Sequence, residues 1–333
     1  VQEKIHKPIT VTPHLFQLGV PSFPVYLSMG EEGMIIEGGT GPTTDIIVKQ
    51  IDMLGIDPAK ISSICLTHTH LDHVGAVPRL RRLWPHLKVL AGPVGAECLH
   101  KEGFVQEFLP GDRMIADILM ERGAITAQPA PLDAYDFKVD SLIEEGDTID
   151  LGAGIVWHVF RTPGHSPCHI SLVEEKEQTM VIGDMTGYFD PALDVFWPNY
   201  FASLEDYCNS IKKMTAIQAV RGLLSHNGVI EGDMRTHMEK ALKATERYHH
   251  ELLQRLDRGD DAKQICTDKA DWVCSLGALA SYKVIHFLCK LMVKQSAAGR
   301  EKDLFHLPEA AVSAYGENTS SETSPHVVVS RFD

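Results

Sequence analysis

The sequence predicts an α/β protein built from two similar halves packed sheet to sheet. Three observations lead there. Short runs rich in β-branched and aromatic residues alternate with helical apolar stripes along residues 11–230. Each half gives strands first and a helix after them. A dense histidine cluster sits where an apolar strand hands over to a turn, the place where layered α/β proteins gather polar sites.

Taken in order, Val11–Val20 and Val25–Met29 read as strands, Gly30–Gly33 as a turn, and MIIEGG as the return strand. Thr43 or Thr44 is placed to cap a helix running to Leu54, with Ile46, Ile47, Ile51 and Leu54 at helical spacing. Ile61–Leu66 is a compact strand, 76–84 a helix and 88–92 a further strand. Residues 93–138 read as helix and loop. The second half supplies strands in SLIEEGDTIDL, GIVWHVFRTPG, HISLVEE and TMVIGD, a helix from about Ser203 to Met214, and the strand GLLSH. Beyond Gly232 an apolar stripe from Met238 to Leu256 marks a long helix closed by Gly259, and a second long helix is expected from Leu276 to Lys294.

Composition sets the outer limits. Apolar residues make up 44% and charged residues 23% of the 333, which suits a globular chain and excludes a wholly disordered one. No apolar run reaches the roughly 20 residues that span a bilayer, so no membrane role is expected. The net charge of −14 disfavours nucleic acid as a partner. Residues 235–295 differ, with 11 Lys and Arg against 8 Asp and Glu. The seven cysteines are scattered, with no Cys-x-x-Cys pair, which argues against a disulfide framework or a thiolate zinc site. Reduced thiols, and the lack of a signal-like apolar run in VQEKIHKPIT, give the cytoplasm as the expected location.

THTHLDH, residues 67–73, carries the strongest chemical signal. His68 and His70 lie two apart at a strand end, so period-2 geometry turns both to one side. Asp72 and His73 follow in the next turn. Three imidazoles and a carboxylate without a thiolate suit a borderline metal. His165, Asp184 and His226 each stand at the end of a later apolar strand.

His-x-His-x-Asp-His, then Gly-His, Gly-Asp and a strand-terminal His, in this order, resemble the metallo-β-lactamase superfamily. The resemblance implies a four-layer αβ/βα sandwich with a dinuclear site. It assigns His68, His70 and His165 to one metal, Asp72, His73 and His226 to the other, and Asp184 as the bridge. The cofactors implied are two divalent ions, zinc first, with iron and manganese as alternatives. GDMTGYFDPALDVFW and the C-terminal helices with Leu276–Gly277 are similar to the branch holding the quinolone-signal response thioesterase and the glyoxalase-II-like enzymes. One departure is Ser225-His226-Asn227, where that branch has Gly-His-Gly.

The chain is thus read as a catalytic domain over 1–233, a helical cap and homodimer region over 234–295, and a mobile tail over 296–333. A metal-bridging hydroxide is the expected nucleophile, with Asp184 setting the metal separation and Asp72 orienting the nucleophile. A thiolate leaves without much protonation, and no general acid stands out, which favours acyl thioesters of the CoA type or activated esters. Tyr188, Phe196, Trp197 and Asn227 are the expected substrate contacts, and Arg235, Lys240, Lys243 and Arg247 are candidates for CoA phosphates. The alternatives are a lactonase or other small-molecule hydrolase, and a regulatory binding protein that keeps a metal site.

Overall fold

A computed structural model describes residues 5–277, 280–307 and 327–329. Its first half runs β1 (Ile9–Thr12), β2 (Leu15–Val20), β3 (Phe23–Met29), β4 (Gly33–Ile36), α1 (Thr44–Met53), β5 (Ile61–Cys65), α2 (Val77–Leu83), β6 (Lys88–Ala91), α3 (Pro93–Leu99), α4 (Phe104–Glu121) and β7 (Ser141–Leu142). The second half runs β8 (Thr148–Asp150), β9 (Val156–Arg161), β10 (Ile170–Glu174), β11 (Thr179–Gly183), β12 (Tyr188–Asp190), β13 (Val195–Trp197), α5 (Leu204–Thr215), β14 (Arg221–Leu224) and β15 (Val229–Glu231). Helices α6 (Met234–Asp257), α7 (Ala262–Ser275) and α8 (Tyr282–Ala298) follow, and a last strand, β16 (Val327–Val329), pairs with β8.

Two mixed seven-stranded sheets face each other, ordered β1-β2-β3-β4-β5-β6-β7 and β15-β14-β11-β10-β9-β8-β16. Their central strands read as unbroken apolar runs because both faces are covered. Along the first sheet Met34, Ile36, Cys65 and Leu90 point between the sheets, while Ile35, Ile64 and Val89 point to the helices of its outer face. The second sheet carries α5 to α8 on its own outer face, in the largest apolar cluster. The result is the four-layer α/β sandwich expected from the sequence. Tyr26 donates to the Leu224 carbonyl (2.6 Å) and Trp157 Nε1 to Ser28 Oγ (3.0 Å), tying one sheet to the other.

Three expectations need correction. The Thr43 hydroxyl bonds back to the Thr40 carbonyl (3.0 Å) and leaves α1 without a side-chain cap. The helix expected over 276–294 starts later, at Tyr282, and a separate helix, α7, ends at Ser275 before it. Gly277, at φ +78°, ends α7 in the left-handed conformation that favours glycine, and Ser281 starts α8 by accepting from Val284 N–H (3.4 Å). The stretch from 296 is also not all tail. Ser296 is buried in α8 with its hydroxyl 2.8 Å from Tyr200 Oη, and Leu304 is buried beyond it. Residues 308–326 and 330–333 lie outside the described residues. Among the described residues, no helix is long and apolar enough to cross a membrane.

Candidate metal centre and its cavity

The site lies along one edge of the sandwich, built by loops that leave β4, β5, β9, β11 and β14. The ladder of β5 stops at Cys65, so His68 and His70 stand in the loop beyond the strand rather than at its end. The backbone stays extended there, with Leu66 N–H donating to the Leu90 carbonyl (2.9 Å) and Ile170 N–H to that of Thr67 (2.8 Å). The alternation of side chains therefore survives, and both imidazoles turn to one side. A 3-10 turn over Leu71–His73 then swings Asp72 and His73 into the same space.

Seven side chains converge. His70 Nδ1 lies 3.1 Å from His68 Nε2 and 2.9 Å from His165 Nε2. Asp72 Oδ2 lies 3.3 Å from His73 Nε2 and 3.7 Å from His226 Nε2. Between these triads, Asp184 Oδ2 is 3.6 Å from His68 Nε2, 3.3 Å from His165 Nε2, 3.4 Å from His73 Nε2 and 3.7 Å from His226 Nε2. The order read from the sequence thus brings all seven residues together.

The outer nitrogens settle which atoms face inward. His165 Nδ1 meets the Asn199 carbonyl (3.0 Å) and His226 Nδ1 the Ser22 carbonyl (2.8 Å). A carbonyl only accepts, so both Nδ1 atoms carry hydrogen and both Nε2 atoms present lone pairs. His73 donates from Nδ1 to Glu37 Oε2 (3.1 Å). The Thr67 hydroxyl donates to Glu37 Oε1 (2.9 Å) and leaves its oxygen for His68 Nδ1–H (3.0 Å). Glu37 was not foreseen. Its signal is a lone acid at the end of the apolar run MII, before two glycines; at φ +75° it is buried and also accepts from Ser225 (2.6 Å). His169 stands behind the site and accepts the Asp184 backbone N–H at Nε2 (3.0 Å).

The electrostatics match a cation site. Burial, with neighbouring imidazoles adding, holds His68 well below the usual histidine range; burial does the same for His165 and lowers His70. Burial alone would raise the Asp184 carboxyl, yet His226, His165 and His73 hold it well below its ordinary value. His73 goes up against the effect of burial because Asp72 and Glu37 flank it, so an incoming cation displaces a proton there.

The residues fit a pair of metal ions on two observations. The lone pairs of His68 Nε2 and His165 Nε2 both face His70 Nδ1, and one proton on His70 satisfies only one of them. Asp184 Oδ1 is buried without a hydrogen-bond partner.

A cavity of about 740 Å³ opens on this centre. Tyr188, Trp197 and Asn227 line it, as expected. Phe196 does not. Tyr188 pairs with Trp197 and Phe189 with Phe196 across β12 and β13, so alternation sends the first pair to the cavity and the second into the core. The Phe196 ring packs 4.4 Å from that of Phe189 and 5.1 Å from that of His237. Asn227 takes φ +66° and donates from Nδ2 to the Phe189 carbonyl (2.8 Å), so it also shapes the loop that carries His226. Lys240 pairs with Asp194 (2.9 Å) and Arg235 with Glu239 (3.1 Å), and neither these nor Lys243 and Arg247 line the cavity.

Comparison with known proteins agrees. The sequence pattern of the Metallo-beta-lactamase superfamily matches residues 21–226. The chain is 26% identical over 245 residues, 73% of its length, to an atrochrysone carboxyl ACP thioesterase of Aspergillus fumigatus, and 25% identical over 244 residues, 72% of its length, to lactamase-like protein notP of an Aspergillus species. These matches span 62% and 60% of those proteins, about three fifths of their length. A beta-lactamase-like protein 2 homolog of Drosophila melanogaster is 25% identical over 80% of each chain. Among solved structures, the subclass B3 metallo-beta-lactamase BJP-1 of Bradyrhizobium japonicum superimposes with a TM-score of 0.54 at 20% identity, covering 78% of this chain and 98% of that one. At that identity the likeness speaks for the fold alone.

Proposed function

This chain belongs to the metallo-β-lactamase superfamily, and from that premise we propose that it is a hydrolase of acyl thioesters or activated esters, working with two divalent ions, zinc first. His68, His70 and His165 would hold one ion and Asp72, His73 and His226 the other, with Asp184 close to both triads. Such ions lower the pKa of a water toward neutrality and polarise a substrate carbonyl.

The chain's own residues do the rest. Thr67, Glu37, Asn199 and Ser22 fix the imidazole orientations before substrate arrives, so little reorganisation is needed at reaction. Asp72 is held below the usual carboxylate range: burial would raise it, but His73 beside it prevails. It therefore stays ionised, able to orient a nucleophile by accepting its hydrogen bond. Apolar side chains from α4 and α8 wall the cavity and exclude water from an acyl group.

The observation that carries this reading is the convergence of two donor triads on one Asp184 oxygen at the mouth of an apolar chamber. Tyr188 is the phenol lining the cavity, and its ring centroid lies 6.1 Å from that of His226. That placement favours a second reading, a lactonase, in which Tyr188 Oη contacts the carbonyl. The Aspergillus fumigatus relative is named a thioesterase, which supports the first.

The test is hydrolysis of acyl-CoAs, S-lactoylglutathione, an acyl-homoserine lactone and an aryl ester by the zinc-loaded protein. Thioesters turned over fastest support the thioesterase reading, and a lactone preference lost in Tyr188→Phe supports the second. No hydrolysis of any of them by a metal-loaded, folded chain contradicts both.

A further inference from the structure

The cavity has a far end, and its chemistry differs from that of the metal end. Its two long walls are helices. On α4, Gly111 lies directly against Leu71, beside the histidine loop; a Cβ there would meet the Leu71 side chain at 2.6 Å. Ile115 and Arg122, the residue that ends α4, also line the cavity. Arg122 comes 11 residues after Gly111, close to three helical turns, so both look out on one side roughly 16 Å apart along the axis.

Helix α8 runs the other way. Its C-terminal end is fixed near the metal centre, where Gln295 Nε2 donates to the Ala202 carbonyl (2.7 Å), while Val284, Ile285 and Leu288 line the cavity farther out. At the far end the exposed Arg122 donates from Nη2 to the Gly277 carbonyl (3.2 Å).

Arg122 is the one Lys or Arg among the described residues that line this cavity, and the lining carboxylates, Asp72 and Asp184, both belong to the metal end. Among the described residues no carboxylate lies within ion-pair distance of Arg122. Its guanidinium carries five N–H donors in a fixed fork, and the Gly277 carbonyl takes one of them. An apolar passage thus runs from the metal centre to an uncompensated cation able to grip a carboxylate or phosphate in bidentate fashion.

We propose that Arg122 recognises an anionic group at the far end of an apolar substrate, so that the cavity selects chains carrying a carboxylate or phosphate remote from the bond to be cleaved. Where that bond lies rests on the hydrolase reading above. The anion has two sources, the tip of the acyl chain or the thiol carrier.

Three thioesters separate them. Octanoyl N-acetylcysteamine is uncharged, octanedioyl N-acetylcysteamine carries a carboxylate on the acyl side, and octanoyl phosphopantetheine carries a phosphate on the thiol side. One charged probe is expected to exceed the neutral one in kcat/KM by about 10-fold or more, the scale of a charged hydrogen bond. Arg122→Gln should bring that ratio to near 1, and Arg122→Lys should restore part of it. In parallel, calorimetry on the metal-loaded protein should show either octanedioate binding more tightly than octanoate or phosphopantetheine more tightly than pantetheine, by a similar factor, lost in Arg122→Gln. No preference in the wild type, or a preference that survives Arg122→Gln, overturns the proposal. If no thioester is cleaved the hydrolase reading fails, while the calorimetric comparison still tests Arg122.

Discussion

Glu37 Oε2 lies 3.1 Å from His73 Nδ1, and both side chains are buried. The other oxygen of Glu37 takes the Thr67 hydroxyl, which in turn accepts from His68 Nδ1. One carboxylate outside the donor set therefore orients one imidazole of each triad. Glu37→Gln keeps the shape but removes the charge and one acceptor. Metal retention against a competing chelator should weaken about 10–100-fold, with the circular dichroism spectrum unchanged. Retention equal to wild type would mean that Glu37 only fills space.

Gly164 makes the turn that presents His165. It sits at φ +129°, and a Cβ there would come within 2.2 Å of the Tyr207 backbone on α5. No rotamer change relieves a clash with backbone. Gly164→Ala should cost about 3 kcal/mol or more by thermal or denaturant unfolding and should also lower metal content, because His165 moves with the turn. A near-neutral change would show that α5 can shift away.

Much of this was legible in the sequence, and the residues show why. Strands such as MVIGD and ISSICL announce themselves because burial on both faces demands continuous apolar runs. The seven converging side chains were legible because each follows such a strand. Glu37 was not, since one acid after an apolar run gives no sign of what it will touch in space. Phe196 was misplaced because aromatic composition does not say which face of a two-stranded ribbon a residue takes. The start of α8 was set too early because Leu276 to Ala280 are as apolar as the helix that follows. Arg122 lies about 50 residues from the histidine cluster, and only the packing of α4 brings it to the cavity.

His237 predicts a pH dependence. Burial, with Lys240 adding, holds its imidazole down to about 4, between the rings of Phe189 and Phe196. The unfolded chain titrates near ~6.5. Between these values the unfolded state binds the proton and the folded state does not, so stability falls as pH drops from about 6.5 toward 4, by on the order of 2–3 kcal/mol. His237→Gln should flatten part of that acid limb in denaturant unfolding at pH 7 and pH 5. His169, also held near 4, and His68, His70 and His165, likewise lowered by burial, keep the rest. Parallel curves for variant and wild type would contradict the assignment.

A homodimer through the C-terminal helices would need an exposed apolar surface there, and α8 offers one at the cavity rim. Tyr282, Val284 and Phe287 of α8 are large apolar side chains left 46%, 36% and 56% exposed. We propose this patch as the contact. Light scattering should find a dimer for the wild type and a monomer for Phe287→Glu. A dimer that survives the change, or a wild-type monomer, removes the proposal.

Metal content bears most directly on the whole reading. The full chain is loaded with zinc, passed through gel filtration and assayed by elemental analysis, beside Asp184→Ala treated alike. About two ions per chain are expected for the wild type, and clearly fewer for the variant that lacks the oxygen shared by both triads. A well-folded wild-type chain that elutes without bound metal would contradict the dinuclear centre and the hydrolytic function built on it.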